Sequence, residues 1–162
     1  MVTVERLRAD HAPALLAFER ENRAWFARSI PDRGDAYFAE FDERHRVLLA
    51  EQEAGLRHFH VVLDGDGELV GRVNLVRADE DGHELGYRVA ERAAGRGVAT
   101  AAVAEVCRLA ADAYGLTELR AVTTVDNRAS RAVLERNAFE TVGTLTLTGR
   151  PGLRYRRLLT PP

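Results

Sequence analysis

The stretch ELGYRVAERAAGRGVATAAVAEV, residues 84–106, changes its period within a few residues. Its first six residues alternate like a half-buried strand, and from Val98 onward small and apolar residues recur at helical spacing. Between the two stand Gly95 and Gly97, and the first turn of the helix carries no acid. Glycines remove Cβ atoms where a ligand must approach the backbone. A helix beginning near Gly97 adds unpaired N–H groups and the positive end of a dipole. Together these features suit an anion. A triphosphate loop requires Gly-Lys-Ser/Thr, whereas this chain reads Gly97-Val98-Ala99-Thr100, and Thr100 also stands where a dinucleotide fingerprint needs its third glycine. Triphosphate hydrolysis and dinucleotide redox chemistry are therefore disfavoured.

Outward from this stretch, residues 57–90 hold three alternating runs separated by DGDG (64–67) and DEDG (79–82), which predicts an antiparallel meander. Upstream, residues 3–10 alternate before Asp10, expected to cap a helix through Asn22 in which Pro13 is tolerable only in the first turn. Residues 23–35 are expected to break that helix and expose Trp25 and Phe26, and residues 36–54 resume a helical period. Two N-terminal helices follow from this reading. Downstream, residues 97–115 form a helix whose buried stripe is expected at Val98, Ala102, Val106, Leu109 and Ala113, with Gly115 as its stop. A strand from Leu116, a short helix over 126–139 capped by Asp126, and two closing strands complete the order β-α-α-β-β-β-α-β-α-β-β. This predicts an α+β fold around one mixed, mostly antiparallel sheet, in a single domain spanning residues 1–162.

Composition narrows the function classes. The chain has 162 residues, 46% hydrophobic and 30% charged, with no apolar run long enough for a bilayer span. The first nine residues lack a secretory h-region and the single cysteine cannot form an internal disulfide, so a cytoplasmic location without membrane association is expected. All 23 basic residues are arginine, yet the formal net charge of −2 gives no reason to expect nucleic-acid binding. Cys107, in an apolar helical run, reads as buried. His58 and His60 share a strand face but lack a third ligand, and DGDGE lacks the later glutamate of a calcium loop, so no metal is expected.

Residues 85–103, LGYRVAERAAGRGVATAAV, resemble the signature of the GNAT superfamily of acyl-CoA-dependent N-acyltransferases, particularly its RimJ/RimL ribosomal-protein N-terminal acetyltransferase branch. The family's Gln/Arg-x-x-Gly-x-Gly/Ala loop falls on Ala94, Gly95, Arg96, Gly97, Val98 and Ala99, with Ala94 departing from the pattern. DNRASRAVLERNAF (126–139) is similar to the family's Asn-x-x-Ser helix followed by Gly-Phe, here Ala138-Phe139. The resemblance implies a GNAT-like fold and acetyl-CoA as co-substrate. It also implies transfer of an acetyl group to a primary amine, a protein N-terminus or a small amine, directly in a ternary complex.

It further implies residue roles. The amides of residues 94–100, Thr100 included, would cradle the coenzyme pyrophosphate, with Arg96, Arg128 and Arg131 as candidate phosphate partners. Asn127 and Ser130 share a helix face with Leu134, opposite Ala129, Ala132 and Val133. Glu84 is the expected base, acting with a raised pKa or through a water, because an amine near pKa 8 to 10 must shed a proton. Many superfamily members place a tyrosine where Leu134 stands, so Ser130 is expected to hydrogen-bond the sulfur. Tyr87, alternating with His83 to the face opposite Glu84, is expected at the cofactor but not as its substitute. A backbone N–H near Val89 would stabilise the oxyanion, and Trp25, Phe26 and Tyr37 would wall the acceptor. The late-strand glutamate of the ribosomal branch has no counterpart in 144–152. A non-catalytic acyl-CoA-binding sensor stays open as the alternative, and a monomer or homodimer is expected.

Overall fold

The computed structural model describes residues 1–79 and 82–159. It is built on one seven-stranded sheet: β1 (Thr3–Arg6), β2 (His58–Leu63), β3 (Leu69–Asp79), β4 (Gly82–Val89), β5 (Glu118–Thr124), β6 (Glu140–Leu147) and β7 (Arg150–Leu158), in the spatial order β1-β2-β3-β4-β5-β7-β6. Every neighbouring pair is antiparallel except β4 and β5, which run parallel and, among the described residues, share two rungs, His83 with Leu119 and Glu84 with Arg120. Past Glu84 the two strands part. The sheet is thus two antiparallel arms, β1–β4 and β5–β7–β6, joined at a short parallel vertex and open beyond it.

Two cores form on the two faces. Helix α5 (Val98–Asp112) and helix α6 (Arg128–Arg136) cover one, and the N-terminal segment covers the other. That segment holds four helices where the periodicity predicts two: α1 (Ala12–Glu21), α2 (Arg23–Ala27), α3 (Asp35–Ala39) and α4 (Phe41–Glu53). The expected break at 23–35 is itself a helical turn, and Phe26 there is buried against Phe18, with ring centroids 5.4 Å apart, rather than exposed. Asp10 is not the cap of α1. It lies in a 3-10 turn, Ala9–His11, and pairs with Arg8 at 2.9 Å. The helix instead begins at Ala12, which puts the donorless Pro13 in its first turn.

The buried stripe of α5 is Ala102, Val103, Val106, Cys107 and Ala110, rotated from the expected one: Leu109 is only half-buried and Ala113 is exposed. Cys107 is buried as its surroundings require. The DGDG turn forms with Asp64 Oδ1 accepting the N–H groups of Asp66 at 2.9 Å and Glu68 at 3.0 Å, an Asx-type closure of the hairpin. The central residues of the second expected turn, 80–81, lie outside the described residues. Among the described residues no helix is long and apolar enough to cross a membrane.

Helix α6 ends in a Schellman arrangement. Phe139 N–H donates to the Leu134 carbonyl at 3.0 Å and Ala138 N–H to that of Glu135 at 3.1 Å. Such an end places one residue in the left-handed region, and here it is Ala138, at φ 62°. A Cβ in that region costs about 1 kcal/mol or more, which exceeds the entropy a glycine loses there. Ala138→Gly is therefore expected to stabilise the protein by about 0.5–1 kcal/mol, read as a rise of a few degrees in thermal midpoint.

His60, fully buried under α5, donates from Nδ1 to the Val73 carbonyl at 2.9 Å and accepts at Nε2 from the Tyr114 hydroxyl at 2.6 Å. Burial pushes its pKa from 6.5 down to about 4. Between those values the unfolded chain binds a proton that the folded chain refuses. Stability attributable to this group is complete above pH 6.5 and lost as pH falls to 4, about 3 kcal/mol by the bottom of the window. Urea midpoints measured across that range should fall with pH, and His60→Asn, which keeps a donor for Val73 but does not titrate, should flatten the slope.

Candidate active site

The gap that opens beyond the two-rung vertex is the mouth of a cavity of about 840 Å³. Strand β4 contributes residues 85–89 to its wall, and β5 contributes 121–124. Ala90 N–H donates to the Val70 carbonyl at 2.8 Å, toward β3. Because successive N–H groups along a strand point to opposite edges, those of Val89 and Tyr87 face the gap. The open edge of β4 thereby offers main-chain donors that β5 does not use.

At the end of β4 the chain makes a 3-10 turn, Glu91–Ala93, and enters the glycine loop. Gly95 and Gly97 have φ of 74° and 77°, the left-handed conformation that glycine adopts without strain, and Gly97 is the N-terminal cap position of α5. A Cβ at either position would meet nothing within 4 Å, so the glycines leave free space beside the backbone. The first amide beyond the loop that is engaged is Ala101, donating to the Gly97 carbonyl at 3.0 Å; among the described residues no hydrogen bond uses the N–H of residues 95–100. With the dipole of a 15-residue helix behind them, these donors suit an anion such as a diphosphate. Ala94, Gly95 and Gly97 line the cavity together with Val98, Ala99 and Thr100, whereas Arg96 is exposed and outside it.

Helix α6 forms the opposite wall. Its cap is Asn127 and not Asp126: Asn127 Oδ1 accepts the Ser130 N–H at 3.1 Å, while Asp126 is ion-paired with Arg150 at 3.0 Å. A second correction concerns its faces. Leu134 is fully buried beside Val133, and Ala129, expected inside, is exposed, although all of them border the cavity with Ser130. Arg131 is turned away, donating from Nη1 to the Val125 carbonyl at 3.1 Å, and the cationic residue of α6 that does reach the cavity is Arg136. Asn137 Nδ2 donates both to the Val133 carbonyl at 2.9 Å and to the Thr100 carbonyl at 3.2 Å, tying the end of α6 to the first turn of α5.

Tyr87 follows the expected alternation, on the face opposite Glu84. That face is the one α6 covers, so its phenol comes beside Ser130. Burial pushes the phenol up, and a hydrogen bond with Ser130 opposes the shift. Glu84 lies at the vertex, paired with Arg120, and does not itself line the cavity; the next residue on its face, Gly86, does. Burial pushes the Glu84 carboxyl above its ordinary value, against the charge of Arg154. His83 is on the other face, its ring near that of His58.

The third wall comes from α2 and the segment after it. Trp25 and Phe26 line the cavity. Tyr37 does not: its ring packs edge-on against Phe38 and Phe41, and its hydroxyl accepts from Arg72 Nη1 at 3.2 Å. Asn22 Oδ1 accepts the Glu91 N–H at 3.0 Å and so anchors this wall to the start of the glycine loop's approach. Sequence reading missed a charged cluster on this side. Glu19 of α1, 1% exposed, receives Arg33 through two bonds of 3.0 and 3.1 Å, Arg72 at 2.9 Å and Arg88 at 3.1 Å. Burial alone would raise the Glu19 carboxyl, but the charges of Arg72, Arg33 and Arg88 outweigh it and hold it low. Burial, with repulsion from Arg33, brings Arg88 down to about 10.

A family model described as an acetyltransferase (GNAT) domain matches residues 2–140. Comparison with curated proteins finds no match. Among solved structures, the ribosomal-protein-S5-alanine acetyltransferase from Vibrio fischeri superposes with a TM-score of 0.89 at 20% identity, covering 97% of this chain and 92% of that one. Mycobacterium smegmatis RimJ in complex with CoA-disulfide gives 0.84 at 24% identity, covering 97% of this chain and 81% of that one. A spermidine N-acetyltransferase from Vibrio cholerae in complex with CoA and spermine gives 0.77 at 19% identity, covering 98% and 95%. Likeness at these identities is one of fold.

The cap at Asn127 separates two roles that its side chain can play. Asn127→Ala is expected to cost about 1 kcal/mol of stability, whereas Asn127→Asp keeps the accepting oxygen and should unfold at the native midpoint in a thermal melt.

Proposed function

The chain belongs to the GNAT acetyltransferase family, and from that premise we propose that it transfers the acetyl group of acetyl-CoA directly to a primary amine, with both substrates bound at once. The observation that carries this reading is the unspent row of amides at residues 95–100 opening onto a gap between two parallel strands. A diphosphate held on that row directs the pantetheine along the open edge of β4. There the pantetheine takes the place of a neighbouring strand, against the outward N–H groups of the β4 edge.

Each chemical demand then has a residue. Attack needs a neutral amine, and Glu84, its proton affinity raised by burial, accepts the amine's proton through a water that bridges the distance from the vertex to the Gly86 level. As the nitrogen–carbon bond forms, negative charge develops on the thioester oxygen, and the Val89 N–H donates to it from the gap. As the carbon–sulfur bond breaks, the departing thiolate is received by the Ser130 hydroxyl, with the Tyr87 phenol beside it as the proton source. Leu134, standing where many relatives carry a tyrosine, contributes only apolar packing. Trp25 and Phe26 form the acceptor wall.

Coenzyme A release from acetyl-CoA, measured with a panel of amines, tests the assignment. Glu84→Gln is expected to lower kcat by about 100-fold or more and Ser130→Ala by a smaller factor, while coenzyme A binding by calorimetry stays at the native level for Glu84→Gln. A proton-accepting group works only when deprotonated, so kcat/KM should rise with pH through an acid limb placed above the ordinary carboxylate value of 4.5, and that limb should vanish in Glu84→Gln. Tight coenzyme binding without turnover of any amine would turn the reading into that of a sensor.

A further inference from the structure

The cluster around Glu19 holds more positive charge than its own packing requires. Three guanidinium groups meet one carboxylate, and Arg33, Arg72 and Arg88 line the cavity while Glu19 does not. Each guanidinium offers five donors, against two oxygens on Glu19 and one on Tyr37. Arg72 is only 4% exposed, yet among the described residues its Nε has no acceptor. Burying a surplus of like charge is unfavourable unless an anion completes the set. One strand step away on the same face, the Asn74 Oδ1 is buried and among the described residues lacks a donor.

The register orders these groups. Arg72 pairs with Arg88, Asn74 with Gly86 and Val76 with Glu84, all on the face that carries the acceptor wall. From the vertex outward that face therefore presents a carboxylate, then an unfilled acceptor, then a pair of arginines. Successive residues on one face of a strand are about 7 Å apart.

We propose that the amine acceptor carries an oxyanion, a carboxylate or phosphate, bound by Arg33, Arg72 and Arg88, with its amine received at Asn74 and Gly86. The spacing of about 7 Å corresponds to about two residues of extended chain. It selects an anion on the residue after the reacting amine, such as the free carboxylate of a dipeptide or an acidic side chain at the second position of a peptide. A free amino acid is too short, and a polyamine is repelled. This inference rests on the amine-acetylation reading of the site, and its test does not require turnover.

Trp25 is the chain's one tryptophan and lines the cavity, so its fluorescence reports occupancy. Titrations with coenzyme A present, and hence without an acetyl group to transfer, compare Ser-Ala with Ser-Ala-amide, Ser-Glu-amide with Ser-Gln-amide, and spermidine. In at least one of the two pairs the anionic ligand should bind at least tenfold tighter than its neutral partner. The two pairs then distinguish a terminal carboxylate from an acidic side chain as the source of the charge. Arg88→Gln leaves Glu19 paired with Arg33 and Arg72, and should remove the difference while leaving the amides unchanged; Arg33→Gln, at the rim, should do the same in part. Equal binding of acid and amide, or tighter binding of spermidine, overturns the inference. Charge-selective binding with no coenzyme A release from acetyl-CoA in the presence of any anionic amine would instead sink the transferase reading and leave the oxyanion site standing.

Discussion

Two backbone rungs between β4 and β5 hold this architecture together and open it at the same point. A parallel pair that continued to the ends of both strands would seal the sheet and leave nowhere for a ligand to cross it. Stopping the ladder at Glu84 leaves an edge of unpaired main-chain groups between two cores, a feature that ordinarily invites aggregation. Here the edge is recessed between α5, α6 and the N-terminal helices, so only a slender chain can reach it. The glycine loop at its far end extends the same principle, presenting backbone rather than side chains to whatever enters.

This reliance on main chain explains what was legible in the sequence. The glycine loop announces itself because only glycine takes φ near 75° freely, and the element order follows from local periodicity. Ser130 and Asn127 were legible as neighbours on one helix, although the structure gives the oxygen of Asn127 to capping. Tyr87 was read onto the correct face, but alternation along a strand does not say which helix covers that face, so its place beside Ser130 was not legible. The split of the N-terminal helices was lost for a related reason: short turns such as Arg23–Ala27 follow from tertiary burial of Phe26, not from periodicity.

The charged cluster was invisible for a stronger reason. Glu19 meets Arg33, Arg72 and Arg88 across separations of 14, 53 and 69 residues, so no local pattern joins them. In a chain whose every cation is arginine, none of the three stands out. Only the register of β3 on β4 and the position of α1 above them bring the guanidinium groups together. On the proposed reading, the two ends of the cleft recognise charge by different means. The glycine loop uses weak, numerous amide dipoles whose placement is written locally, and the acceptor side uses formal charges that the fold assembles from afar.

Asn137 links these halves mechanically. One carboxamide clamps the last turn of α6 to the first turn of α5. These bonds oppose independent sliding of the two helices that flank the cleft and so help to set the distance from the glycine loop to Ser130. In the proposed reaction, a thioester on a carrier arm of the wrong length would be held at one end and miss at the other, which would make the cleft a caliper for its donor.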